Sequence, residues 1–156
     1  MTQFESALPA SLGITKIHHV AVVVRDLDAS LGLYRDKLGL ALEKVVPIPF
    51  DRVRIGFLDV GDVKIELVQP TDDTTGVSRF LETKGEGFHH VCFEVPDIQA
   101  TLDRCAAEGL QLIDAAPRMG ADGPVAFLHP KSCHGVLIEF VESHGGPAWA
   151  RLAPAE

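Results

Sequence analysis

The chain predicts an α+β fold in which two tandem βαβββ repeats form a cupped, mixed sheet around a cleft. Three observations carry this expectation. First, the sequence aligns with itself: Ile17-His18-His19-Val20 recurs as Phe88-His89-His90-Val91, an offset of 71 residues. Val24, Asp26, Leu27, Ala29, Ser30 and Leu31 match Val95, Asp97, Ile98, Ala100, Thr101 and Leu102 in the same register, a repeat too long for chance. Second, the halves end alike, Lys64-Ile65-Glu66-Leu67-Val68 against Leu137-Ile138-Glu139-Phe140-Val141, with the offset grown to 73. Third, each half passes from a β-branched run to helical spacing and back to strand-like segments.

Each unit opens on a predicted strand, 20–24 or 91–95. Asp26 and Asp97 then stand at helix starts, where a carboxylate can accept an orphan backbone N–H. Leu27, Leu31, Tyr34 and Leu38 continue at helical spacing in the first unit, as do Ile98, Leu102 and Cys105 in the second, and Gly39 and Gly109 stop the helices. Three strands follow in each unit, at 41–48, 52–59 and 63–68, then at 111–114, 124–128 and 136–141. A short helix over 76–83 links the halves. One domain over 14–142 is expected, with repeats at 14–70 and 87–142 and tails at 1–13 and 143–156.

The 156 residues are 46% hydrophobic and 23% charged, which fits a globular chain and excludes disorder or a fibre. A net charge of −8 argues against nucleic acid or an anionic membrane surface as the partner. Cys92, Cys105 and Cys133 form no CxxC pair and are odd in number, so a reducing compartment is expected. Residues 1–13 hold no apolar run and only Glu5 as a charge, and no stretch reaches the ~20 apolar residues of a membrane span. A cytoplasmic protein is expected.

Strand alternation sorts the histidines. His90, Cys92 and Glu94 share one face, and His89, Val91, Phe93 and Val95 the other. His19, Ala21 and Val23 match the first of these. Units related by a pseudo-twofold axis bring equivalent positions together, so His19, Glu66, His90 and Glu139 are expected to converge. Two imidazoles and two carboxylates suit a divalent first-row metal with open coordination positions, whereas structural zinc sites favour closed, Cys-rich tetrahedra. Taken singly, a strand histidine is more often packed or exposed, and Glu66 fits a solvated face with Asp62 and Lys64. The recurrence of both residue types in both repeats favours the metal. His18 and His89 are expected to pack or to support the ligands, and Cys92 to be a buried, inert thiol. Ser132-Cys133-His134 is discounted as a nucleophile set, because neighbours on a turn seldom meet in triad geometry.

Four runs carry a family resemblance: 17–24; Gly-Asp-Val-Lys-Ile-Glu-Leu-Val-Gln-Pro at 61–70; Phe-Leu-Glu-Thr-Lys-Gly-Glu-Gly-Phe-His-His-Val at 80–91; and Phe-Leu-His-Pro-Lys-Ser-Cys-His-Gly-Val-Leu-Ile-Glu at 127–139. Across 14–142 the chain resembles the methylmalonyl-CoA epimerases of the vicinal oxygen chelate superfamily, which also contains glyoxalase I and extradiol dioxygenases. The resemblance implies a homodimeric isomerase that interconverts (2R)- and (2S)-methylmalonyl-CoA through a metal-stabilised enolate. It implies Co²⁺, with Mn²⁺, Ni²⁺ or Zn²⁺ as alternatives, on His19, Glu66, His90 and Glu139. Glu139 is assigned the C2 proton, and Lys131, Arg118 and Lys84 are candidate contacts to the CoA phosphates. The chain departs from the family where some members place a third-strand glutamate, here Ile55, and at the shorter loop 120–123. The alternatives are a glyoxalase I-like isomerase, another metal enzyme of the fold, and a metal-free binding module, which has no need of four ligands.

Overall fold

A computed structural model describes residues 12–143; the tails expected at 1–13 and 143–156 lie almost wholly outside them. The first unit comprises β1 (Lys16–Val23), α1 (Leu27–Leu31), β2 (Ala41–Ile48), β3 (Val53–Val60) and β4 (Val63–Pro70). Helix α2 (Gly76–Lys84) follows. The second unit comprises β5 (Gly87–Val95), α3 (Ile98–Ala107), β6 (Arg118–Met119), β7 (Pro124–Leu128) and β8 (Ile138–Glu142). The repeat is visible in the caps. Asp26 accepts from the Ala29 N–H at 3.1 Å and Asp97 from that of Ala100 at 3.0 Å. Gln69 and Glu142, equivalent positions at the unit ends, accept from the first helical N–H groups, Leu27 and Ile98, at 2.7 and 3.1 Å.

All eight strands form one sheet in the order β2-β3-β4-β1-β5-β8-β7-β6. That order is palindromic in the two units. β1 lies parallel to β4 and β5 to β8, while β1 and β5 meet antiparallel at the centre. One outer face is covered by α1 over Val24, Leu27, Leu31, Leu58 and Leu67, and by α3 over Val95, Ile98, Leu102, Cys105 and Phe140. The concave face is left open to hold a site. The sheet curls until residues beside its edge strands touch: Lys44 of β2 reaches Asp122 at 2.8 Å, and Arg118 of β6 reaches Asp51 at 2.5 Å.

Two expected elements differ. The strand expected at 111–114 is a single bridge, Leu112 to Leu128, and the regular ladder is β6 instead. Here the Asp114 carboxylate takes the Phe127 N–H at 2.9 Å, displacing a ladder carbonyl, and Pro117 offers no N–H. Helix α1 is regular only to Leu31 and widens into a π-type turn over Gly32–Lys37. The widening shifts the phase of the apolar stripe, so Tyr34 still packs on the core while Leu38 is exposed.

Leu102 of α3 is wholly buried against the sheet. The Leu102→Ala variant is expected to lose about 3 kcal/mol of stability through the cavity it leaves. A urea titration should show a lower midpoint at unchanged slope.

Candidate active site

His19 and His90 project from the two central strands into the concave face. Glu66 of β4 stands beside Ala21, two residues after His19, and Glu139 of β8 stands beside Cys92, two residues after His90. Each carboxylate is thus delivered by the parallel neighbour of the strand that carries the histidine. His19 Nε2 lies 3.2 Å from His90 Nε2, 3.2 Å from Glu66 Oε2 and 3.0 Å from Glu139 Oε1. His90 Nε2 lies 3.7 Å from Glu139 Oε1. All four residues expected to converge therefore do so, and all are buried.

The neighbouring histidines hold the ligand candidates in place by a device that alternation does not reveal. In the β1–β5 ladder, Ile17 pairs with Phe93 and His19 with Cys92, so His18 is an extra residue; Ala21 pairs with His90 and Val22 with Phe88, so His89 is another. Both are β-bulges, which re-aim side chains. The bulge turns His18 into the cleft. His18 Nδ1 meets His19 Nδ1 at 2.8 Å, and His89 Nδ1 meets His90 Nδ1 at the same distance. Burial pushes His18 and His89 down to about 4, aided by the adjacent ring, so both are neutral near pH 7. Each outer ring can then accept at Nδ1 from the inner Nδ1–H, which leaves the inner Nε2 lone pair aimed at the carboxylates.

The centre is consequently a cluster of acceptors. His90 Nε2, Glu66 Oε2 and Glu139 Oε1 all stand 3.0–3.2 Å from His19 Nε2, and a divalent cation would satisfy these groups together. Ligands about 2.1 Å from one octahedral ion stand about 3.0 Å apart, close to the 3.0–3.2 Å that separate His19 Nε2 from its three partners. The donor set fits a divalent metal. Without one, burial would raise Glu139, but hydrogen bonds from His19 and His90 outweigh it and hold the carboxyl below its usual range. Burial pushes Glu66 up to about 7, against the opposing pull of His19. Cys92 also approaches His18 and His19, but burial raises its thiol far above neutrality, so it stays protonated.

Glu66 and Glu139 form the floor shared by a cavity of about 830 Å³ and an inner recess of about 50 Å³. The cavity reaches Arg118, which is half-buried against the rings of Phe50 and Phe127. Lys84 and Lys131 are exposed and line neither space, although His129 and Pro130, beside Lys131, do. Arg52, Asp51 and Asp122 line the cleft without having been singled out in the sequence. They sit in turns, where no periodicity marks a side chain's direction. Phe127 stacks edge-on against His90 at 5.2 Å and completes the wall.

The chain is similar to known proteins in both sequence and fold. The sequence profile of the Glyoxalase/Bleomycin resistance protein/Dioxygenase superfamily matches residues 18–127. The mitochondrial methylmalonyl-CoA epimerase of Mus musculus is 38% identical over 145 residues, 91% of this chain and 80% of that protein. The crystal structure of methylmalonyl-CoA epimerase from Mycobacterium tuberculosis superimposes with a TM-score of 0.83 at 30% identity, covering 94% of this chain and 99% of that one. A methylmalonyl-CoA epimerase solved with methylmalonyl-CoA and NH4+ gives 0.80 at 33% identity, covering 86% and 98%.

Proposed function

The chain belongs to the glyoxalase/bleomycin resistance protein/dioxygenase superfamily, in its methylmalonyl-CoA epimerase branch, and on that premise we propose that it interconverts (2R)- and (2S)-methylmalonyl-CoA. The observation that carries the reading is the convergence of His19, Glu66, His90 and Glu139 at the floor of a cavity large enough for an acyl group. We assign these four residues to a divalent metal, Co²⁺ first, with Mn²⁺, Ni²⁺ or Zn²⁺ as alternatives. When bound, the metal supplies Lewis-acid stabilisation of the charge that develops on the substrate oxygens.

The chain's own residues do the rest. Glu139, kept as a carboxylate by its surroundings, takes the C2 proton. His18 and His89 hold the inner imidazoles in one tautomer. Ile48, Ile55 and Val125 present apolar surface that limits water around the enolate. Arg118 at the cavity wall is assigned to the CoA moiety, joined by Arg52; Lys131 and Lys84 are assigned to outer, rim-side phosphate contacts. A homodimer and a cytoplasmic setting complete the proposal. Exposed Ile17 and Phe88 on the two central strands favour the first, and three free cysteines the second.

The test is C2 proton exchange. Metal-depleted protein reloaded with Co²⁺ should replace the C2 hydrogen of methylmalonyl-CoA with deuterium in D2O, followed by NMR. Absence of exchange at saturating metal rejects the reaction.

A further inference from the structure

The larger cavity extends well beyond Glu66 and Glu139. At about 830 Å³ it falls in the range that encloses a drug-sized ligand, so it admits a stretch of substrate beyond the acyl group. Above the two glutamates its wall is largely apolar, with Phe50, Val53, Val77, Ile113, Phe127 and Leu137. Among the described residues, that wall carries two permanent cations, Arg52 and Arg118, and each already faces a carboxylate. Arg52 Nη1 lies 3.4 Å from Asp72 and donates to Thr74 Oγ1 at 2.6 Å. Arg118 Nη1 donates to Asp51 at 2.5 Å, and its Nε lies 3.6 Å from Asp114.

Arg118 is also the more firmly held of the two. Its guanidinium carbon stands 5.7 Å from the centre of the Phe50 ring and 5.6 Å from that of Phe127. Asp114 accepts the Phe127 N–H through its other oxygen at 2.9 Å, which ties the aromatic wall to the same clamp. A guanidinium has five N–H donors in one plane, more than these two carboxylates engage. A phosphate brought to this group would meet Asp51 and Asp114 as well, two negative charges against one positive. A neutral carbonyl meets no such repulsion and still gains a charge-assisted hydrogen bond.

We infer that Arg118 is a specificity residue for the neutral part of the acyl carrier: it donates to the amide carbonyls of the pantetheine arm, which the cavity encloses, while the phosphates stay outside. This rests on the epimerase reading above and says which portion of CoA the cavity recognises. The apolar wall suits the alkyl segments of such an arm, and the fixed fork supplies the polar contact that sets its direction. Exposed cations outside the cavity, such as Lys131 beside the lining residue Pro130, suit the phosphates.

The Arg118→Lys variant tests this on two thioesters, methylmalonyl-CoA and methylmalonyl-pantetheine, the second of which lacks every phosphate. Lysine keeps a positive charge beside Asp51 and Asp114 but loses the planar fork. With rates taken per bound Co²⁺, kcat/KM is expected to fall about tenfold on both thioesters alike, with KM carrying the loss. A loss confined to the CoA thioester would place Arg118 on a phosphate. A loss carried by kcat on both would make it a clasp between the sheet edges, and an unimpaired variant would leave it without a contact to the arm. Each of these results overturns the inference. So does a parent protein that turns over the CoA thioester but not the pantetheine one, which leaves the epimerase reading intact. A parent that turns over neither rejects that reading, and the inference with it.

Discussion

Replacing Glu139 with glutamine is expected to reduce turnover of methylmalonyl-CoA by about 1,000-fold, with kcat carrying most of the loss. The substitution is nearly isosteric, so the buried site beside Cys92 should remain filled. What disappears is the acceptor for the C2 proton and one anionic donor 3.0 Å from His19 Nε2. A carboxylate held below its usual range is a weak base in solution. Its value here is position and constant ionisation: no proton has to leave it before it can act, and the charge developing on the substrate is stabilised in the same site. The amide keeps a carbonyl oxygen for coordination but cannot take a proton. Kinetics at saturating Co²⁺, with the bound metal counted, separate the two losses. A fully metal-loaded variant that retains near-parental kcat would remove Glu139 from proton transfer.

How much of this could be read from the sequence depends on whether a feature was periodic. His19, Glu66, His90 and Glu139 were legible because duplication writes each position twice, and strand alternation assigns both copies to one face. The caps at Asp26 and Asp97 were legible for the same reason. His18 and His89 were expected to pack or support the ligands, but alternation placed them on the wrong face. Each occupies a bulge, and a bulge interrupts the period that alternation assumes. Asp51 and Asp122 were missed because their directions depend on the closure of β2 against β6, a contact 67 to 78 residues apart in sequence. Arg118 reaches the cleft through that closure; Lys84, also a cation, is exposed on α2 near Phe80. The irregular 111–114 segment failed for a local reason, since Asp114 competes with the backbone for the Phe127 N–H.

Removal and return of the metal should have the second large effect, on stability as well as activity. Adding Co²⁺ to metal-depleted protein at about 100 times its dissociation constant is expected to stabilise the fold by about 2.7 kcal/mol, raising Tm by about 5–10 °C. The His90→Ala variant should lose most of that rise, because one imidazole donor is gone. The effect should also depend on pH, with a sign set by Glu66. Burial raises this carboxyl from 4.5 to about 7 in the metal-free protein, with Glu139 and Asp122 adding to the rise and His19 opposing it. A carboxyl raised in the folded state favours folding below its unfolded pKa relative to higher pH. That advantage fades between pH 4.5 and 7, and above pH 7 the full cost of a buried, uncompensated charge is present. The metal compensates this charge and competes with the proton for it. The Co²⁺-induced rise in Tm should therefore grow from pH 5 to pH 8, while the metal-free protein itself loses the stability contributed by protonated Glu66. In Glu66→Gln, which carries no proton to displace, the component of this pH dependence that Glu66 contributes should vanish. Differential scanning calorimetry of both proteins, with and without Co²⁺, measures it directly, and a parental Tm rise that is flat or falling with pH would show that Glu66 is not a charged ligand.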